Sequence, residues 1–209
     1  MQIIFPGKVL ASQKDSLTYQ KTVEMSSEVL YNYRMNKIDV AGLKISPITK
    51  NSFLAAVLER IKNNKKTLVI TPYSEFLYHT FLDPKLLNIF NSADFSLADG
   101  IGIFWAKKYL EIPLTAKTYW GKILQAAWQI IYSIAAIIFN PRFIYSNASW
   151  GPNTPINGHA TQQNIPEKIV GADLVWDLAK LATENNLSVY LLGGFADTAK
   201  KTAQALVSR

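Results

Sequence analysis

Asp99 is the residue of this sequence best placed for acid–base chemistry. It follows a predicted strand, Phe95–Leu97, and precedes Gly100, where a new helix is predicted to begin. Ligands collect at the carboxyl ends of parallel strands, because helix N-termini and loop groups converge there. A carboxylate at such a rim can take the proton from an attacking hydroxyl and so act as a general base. The alternative is an Asx turn that only leads into the next helix.

A second strand is predicted to end at the same rim. Leu68–Thr71 is a continuous apolar run that stops at Pro72, and a helix is predicted to follow Tyr73. Such a run is typical of a central parallel strand that is covered on both faces. The pattern therefore predicts that Thr71, Tyr73 and Asp99 lie along one edge.

Two glycine pairs are candidates for anion binding. Gly193 and Gly194 stand between a predicted strand and a helix, where glycine lets backbone amides approach a phosphate. The same pair also fits α/β folds in which glycines merely pack. Gly100 and Gly102 complete only part of a dinucleotide fingerprint, so a nicotinamide site is not expected.

Neither a metal site nor a cofactor is expected. The sequence has no cysteine and two histidines, His79 and His159, which lie far apart in the chain. No Asp-x-Asp pair or other metal-ligand spacing occurs. His79 is interpreted as a packed or surface residue.

Strands and helices alternate along most of the chain. The order predicts an α/β fold, a parallel sheet with flanking helices and right-handed crossovers. The pattern begins at Lys37 with a short strand pair around Ala41-Gly42, and residues 1–36 read as a poorly ordered leader without a signal peptide. A helix at Ala172–Thr183, a buried strand at Ser188–Leu192 and a final helix repeat the pattern.

The bulk composition points to the cytoplasm and to anionic ligands. The 209 residues carry a formal net charge of +7, with 49% hydrophobic residues. A basic surface favours phosphates, whether in nucleotides or in anionic lipid headgroups. The absence of cysteine fits a reducing compartment.

Residues 115–165 interrupt the α/β pattern. No charged residue occurs between Lys122 and Arg142, a length close to the roughly 30 Å of a bilayer core. A narrow stripe at helical spacing is nevertheless polar, and it contains Lys122, Gln125, Gln129, Ser133 and Asn140. Four interpretations stay open: a helix lying in a membrane interface or on a partner, a segment that enters the membrane and returns, a helix spanning through Ile123–Phe139, and an ordinary buried helix.

The motifs together resemble the WecG/TagA/CpsF family of bacterial glycosyltransferases. The blocks are TPYSEF, SADFSLADGIGIFWAKK, IPEKIVGADLV and VYLLGG, in the family's order. The resemblance covers residues 37–114 and 166–209, and makes 115–165 an insertion. It implies a Rossmann-like domain that transfers an N-acetylmannosamine-type sugar from a UDP donor without a metal. The acceptor it implies is a polyprenyl-diphosphate-linked N-acetylglucosamine at the cytoplasmic membrane face, and the transfer inverts the anomeric centre.

The resemblance also assigns roles to individual residues. Asp99, in the family's Ala-Asp-Gly motif with Gly100, matches the proposed general base, and Thr71 matches the threonine of a Thr-Pro-Asn motif. Tyr73 stands where the family usually has asparagine.

Three matching positions lie in the later IPEKIVGADLV block. Lys168 replaces an arginine thought to face the diphosphate, which keeps the charge but loses the bidentate fork. Gly171 and Asp173 match the family's Gly-x-Asp motif.

Relatives are expected to continue past the position of Arg209, through a Pro-Lys-Gln-Glu-type motif and a basic tail. The sheet is therefore expected to be incomplete on its C-terminal side. The partners expected are the UDP-sugar, the lipid-linked acceptor, and either a second copy or a complementary C-terminal chain, with no nucleic acid. The alternative function is a non-catalytic module that binds lipid-linked sugar or a partner chain at the membrane.

Overall fold

The computed structural model describes residues 2–4, 36–140 and 164–207, the first three by their backbone only. In chain order the elements are β1 Gln2–Ile4, β2 Ile38–Val40, β3 Leu43–Ile45, α1 Lys50–Lys62, β4 Val69–Ile70, α2 Ser74–Leu82, α3 Pro84–Asn91, β5 Phe95–Ser96, α4 Ile101–Leu110, α5 Tyr119–Phe139, α6 Gly171–Glu184, β6 Tyr190–Leu192 and α7 Thr198–Val207.

These elements fall into two compact units. One, here the Asp99 unit, comprises Tyr31–Thr49 and Leu68–Val170. The other, here the terminal unit, comprises Met1–Leu30, Lys50–Thr67 and Gly171–Arg209. The boundaries of these two units differ from those of the predicted core and insertion. The division into a core and an insertion stays a prediction.

The predicted strand pair at the start of the Asp99 unit is confirmed. β2 and β3 pair antiparallel, with Val40 opposite Leu43. Ala41 and Gly42 both have positive φ, 53° and 89°, which is the requirement of a type I′ hairpin turn. Alternation along the two strands buries Ile38, Val40, Leu43 and Ile45 on one face.

The helices after β4 begin where the sequence predicts. Asp83 caps α3, because its Oδ1 accepts hydrogen bonds from the backbone N–H groups of Lys85 at 2.9 Å and Leu86 at 3.4 Å. Pro84 occupies the first helical turn, where its missing N–H costs nothing. The hairpin strands and α4 then share one apolar core, formed by Ile38, Val40, Leu43, Ile45, Ala98, Ile103, Phe104 and Ile165.

The sheets are smaller than predicted. Among the described residues the strands form three two-stranded sheets, β1–β6, β2–β3 and β4–β5, and of these β4–β5 is parallel. Mixed helices and small sheets agree with an α/β fold, whereas a Rossmann-like sheet stays a prediction. The prediction of a strand covered on both faces at Leu68–Thr71 is wrong, since Leu68 is exposed and Val69 and Ile70 are half-buried.

The terminal unit contains a helix pair and an antiparallel strand pair. Phe53, Val57 and Leu58 of α1 are buried, as are Leu174 and Leu178 of α6. β6 pairs antiparallel with β1. Tyr190 and Leu192 are exposed, so the predicted burial of this strand is also wrong.

Parts of the predicted leader and insertion lie outside the described residues. Gln2–Ile4 of the leader form β1, and the rest of it up to residue 35 is not described. The insertion is described through α5 and Asn140, and again from Asn164, but its loop at 145–163 is not.

Candidate functional site

The ends of β4 and β5 lie side by side, as their sequence pattern predicts. Val69 pairs with Phe95 and Ile70 with Ser96 in parallel register. Backbone bonds continue the pairing beyond the strands: the Leu97 N–H donates to the Ile70 carbonyl at 2.8 Å, and the Asp99 N–H to the Pro72 carbonyl at 3.0 Å. Thr71, Tyr73 and Asp99 are therefore neighbours along one rim of the Asp99 unit.

Two helices begin at this rim. α2 starts after Tyr73 and α4 after Gly100, and neither N-cap residue makes a side-chain cap hydrogen bond. Gly100 has φ 79° and ψ 159°, a conformation that strains any residue with a Cβ. The partial positive charge of the two helix N-termini therefore faces the edge that carries Asp99.

Gly102 allows these two helices to approach. A Cβ at Gly102 would lie 2.7 Å from the Cβ of Ser74, in the first turn of α2. The second glycine of the partial fingerprint is thus required for helix packing.

Tyr73 is held by a neighbouring carboxylate. Its hydroxyl donates a hydrogen bond to Glu75 Oε2 at 2.8 Å, and the other carboxylate oxygen of Glu75 lies 3.6 Å from His79 Nε2. The hydrogen bond to Glu75 raises the pKa of Tyr73, and the negative charge of Asp99 adds to the shift. The same bond, with the nearby imidazole of His79, lowers the pKa of Glu75. Tyr73 consequently stays a neutral donor next to an ionised Glu75.

Glu75 is the residue that the sequence analysis missed at this edge. The signal was present, since Glu75 and His79 stand four residues apart in a predicted helix that begins just after Tyr73. His79 is exposed and paired with Glu75, so its interpretation as a surface residue is confirmed.

Lys168 lies close to the end of β5. The Ile169 N–H donates to the Ala98 carbonyl at 3.0 Å, which places the segment before α6 beside the residue that precedes Asp99. Ile169 is buried and Lys168 is exposed. A lysine ammonium is therefore available near this edge.

The other predicted binding residues belong to the terminal unit. Gly171 is the first residue of α6, and Asp173 is exposed in its first turn. Gly193 and Gly194 follow β6 with φ of 95° and 88°. A Cβ at Gly194 would lie 3.0 Å from that of Thr198, which favours packing, while one at Gly193 would meet nothing within 4 Å. A role for these four residues in substrate binding stays a prediction.

In the part of the chain that the structure describes, no three His, Cys, Asp or Glu side chains lie together in a group that could hold a metal ion. A polar surface depression of about 150 Å³ lies in the terminal unit between α1 and α6. None of the predicted site residues lines it.

Comparison with family models identifies a glycosyltransferase domain in the chain. Residues 38–133 match the model described as "Glycosyl transferase WecG/TagA/CpsF family", so this stretch carries a domain of that family. The family acts in cell-surface polysaccharide synthesis, and the match supports a transferase enzyme. The match contains Thr71, Tyr73, Asp99 and Gly100, runs on to residue 133 within α5, and ends before Lys168. No curated protein and no solved structure matched the chain.

Proposed function

We propose that this protein transfers an N-acetylmannosamine-type sugar from a UDP donor to a polyprenyl-diphosphate-linked N-acetylglucosamine, with inversion and without a metal. The observation that carries the proposal is Asp99, which stands at a strand end between two helix starts inside the matched glycosyltransferase domain. The expected location is the cytoplasmic face of the cell membrane, where the lipid-linked acceptor would be presented.

In the proposed reaction Asp99 receives the proton of the acceptor hydroxyl. The hydroxyl oxygen forms a new bond to the anomeric carbon, and the bond from that carbon to the donor diphosphate breaks. UDP leaves with the electron pair, and attack from the opposite face inverts the anomeric centre. A positioned general base contributes roughly 10²–10⁴-fold to such a step.

The residues around Asp99 suit the charge that develops on the leaving diphosphate. The N-termini of α2 and α4 offer backbone N–H groups and partial positive charge. Lys168 offers a full positive charge beside the end of β5. Thr71 and the neutral Tyr73 hydroxyl supply groups that can bond a sugar.

The test is transfer from UDP-N-acetylmannosamine to a short-chain prenyl-diphosphate-N-acetylglucosamine, measured as UDP release by the purified chain with no added metal. Release should depend on acceptor and fall about 10²-fold or more in Asp99→Asn. The matched control is Asp83→Asn, because Asn also caps helices well and the cap of α3 should survive.

Either of two results would reject part of the proposal. Equal activity in Asp99→Asn would remove Asp99 from the role of base. No release by a folded wild-type chain that still binds the acceptor would favour the alternative function, a non-catalytic module for lipid-linked sugar. Recovery of release on adding a complementary C-terminal chain would identify a split enzyme.

A further inference from the structure

Helix α5 presents its polar residues to its own unit and its apolar residues to the outside. Ser133 is completely buried and Gln129 nearly so, while Trp120, Leu124 and Ile131 are 72%, 71% and 60% exposed. At 100° per residue, the positions from Ile123 around to Phe139 that face away from the unit form an arc of more than half the helix, without a charged side chain. A soluble amphipathic helix is oriented the other way round.

Specific hydrogen bonds fix this orientation. Trp105 Nε1, on α4, donates to Ser133 Oγ at 2.9 Å, and Tyr109 Oη donates to the Ala126 carbonyl at 3.2 Å. Gln125 Oε1 accepts from the N–H groups of Thr115 at 3.0 Å and Ala116 at 2.9 Å. Gln125 and Ser133 of the polar stripe are thereby hydrogen-bonded within the protein. The apolar arc is the face of α5 that a partner can contact.

The same contacts argue against a spanning helix. By its length and composition alone, α5 is long enough and apolar enough to cross a membrane. It is bound to α4 at Ala126 and Ser133, however, and the last turn of α4 carries Lys107 and Lys108, with Glu111 just after it. Crossing would carry these charges into the hydrocarbon, which costs several kcal/mol. A helix held in this way can lie in the plane of an interface instead.

Charge and aromatic residues select an anionic lipid surface as the occupant. Lys117 is exposed just before α5, close in sequence to the exposed Tyr119 and Trp120. Tryptophan and tyrosine favour the headgroup region, where one end of the ring is apolar and the other wet. A lysine beside them binds acidic phospholipids, at about 1 kcal/mol.

We propose that α5 is an interfacial anchor that lies flat in an acidic phospholipid membrane, with its apolar arc inserted and its polar stripe holding the Asp99 unit. The helix is about 31 Å long at 1.5 Å per residue, so the contact is extended enough to set an orientation as well as an affinity.

The orientation matters because of how α5 runs beside α4. Trp105 meets Ser133 and Tyr109 meets Ala126, so the two helices are antiparallel. Ile137, near the C-terminal end of α5, packs on the core that includes Ala98 and Ile103. The anchor thus holds the start of α4, and Asp99 just before it, at the level of the membrane surface. This last step rests on the proposed function, since only a lipid-linked acceptor requires it.

The experiment is binding of the full chain to vesicles of phosphatidylglycerol and phosphatidylcholine, measured by co-sedimentation. The wild type should bind, and its tryptophan fluorescence should be quenched most by lipids brominated near the headgroup. The triple variant Leu124→Gln, Ile131→Gln, Ile138→Gln should bind at least about tenfold more weakly. A matched control, Phe81→Gln, Leu82→Gln, Ile89→Gln, removes three similarly exposed apolar residues from α2 and α3 and should bind as the wild type.

Three outcomes would overturn the anchor. Deep quenching together with resistance to carbonate extraction would show a spanning helix. Equal loss in both triple variants would show that apolar exposure in general drives binding. Concentration-dependent dimers in buffer that bind no vesicles would assign the arc to a second copy. The binding result does not depend on catalysis: if the anchor holds but UDP release fails, only the proposed function is rejected.

Discussion

Single residues set the chemistry of the rim: the hydrogen bond from Tyr73 to Glu75, and then the negative charge of Asp99, raise the pKa of the Tyr73 hydroxyl. The position of Asp99 at a strand end could be predicted, because that position needs only the strand and the glycine after it. The bond from Tyr73 to Glu75 depends on side-chain rotamers, which no spacing rule fixes. In that bond the Tyr73 hydroxyl is the donor and Glu75 the acceptor.

Lys108 offers a prediction at this scale. The side chain is almost fully buried, and burial lowers the pKa of Lys108, with the carboxylate of Glu111 opposing the shift. The unfolded chain therefore binds the proton more tightly than the folded one, so wild-type stability should rise with pH between the lowered folded pKa and the ordinary value of about 10.4. Against Lys108→Met, the wild type should gain stability over that window.

The measurement is urea unfolding of both proteins from neutral pH to about pH 10.4. Lys85→Met, which removes an exposed lysine from α3, is the control. Its free energy of unfolding should differ from that of the wild type by the same amount at every pH. If the difference in unfolding free energy between Lys108→Met and the wild type were also the same at every pH, burial would not lower the pKa of Lys108.

At the scale of elements, the close contact of α2 and α4 depends on one missing side chain. Gly102→Ala would place a Cβ 2.7 Å from that of Ser74, which is fixed to the α2 backbone. Overpacking costs about 1–3 kcal/mol, and the better helix propensity of alanine returns up to about 1 kcal/mol. We expect Gly102→Ala to lower the free energy of unfolding by about 1–2 kcal/mol.

The substitution Ser74→Gly tests whether the contact between the two Cβ atoms causes this loss of stability. In the double variant the space is restored, so a double-mutant cycle by urea denaturation should show favourable coupling between the two substitutions. Purely additive effects would mean that the helices separate easily at this point.

The orientation of helix α5 could not be predicted from its sequence pattern. The stripe of Gln125, Gln129 and Ser133 is visible in the sequence, and so is the apolar remainder. Periodicity defines two faces but does not state which of them meets the rest of the protein. Trp105 and Tyr109 decide that, through hydrogen bonds that exist only after the fold has brought α4 alongside.

At the scale of the whole molecule, the helices were easier to predict than the sheets. Asp83 and Pro84 mark a helix start locally, and Ala41-Gly42 mark a hairpin turn locally. Whether an apolar run such as Leu68–Thr71 is covered on both faces depends on distant segments, and here Leu68 is exposed. The pairing of β6 with residues 2–4 likewise joins the two ends of the chain, which no local signal could indicate.

The net charge of +7 leads to the molecular-scale prediction. Binding to acidic vesicles should weaken several-fold between low salt and about 0.5 M salt, because the Debye length falls well below 10 Å. Binding to purely zwitterionic vesicles should be weaker and change little. Co-sedimentation across a salt series measures both, and a salt-independent affinity for acidic vesicles would assign the attraction to the apolar arc alone.

The outward tryptophans of α5 also govern how the protein behaves in a test tube. A helix that shows Trp120, Leu124 and Trp128 to water will self-associate in dilute aqueous buffer. A mild detergent should disperse such aggregates by forming a micelle collar around the helix. Turnover measured without detergent would then report how much enzyme has been lost to aggregates, and the concentration of monodisperse protein should be established before any rate is compared.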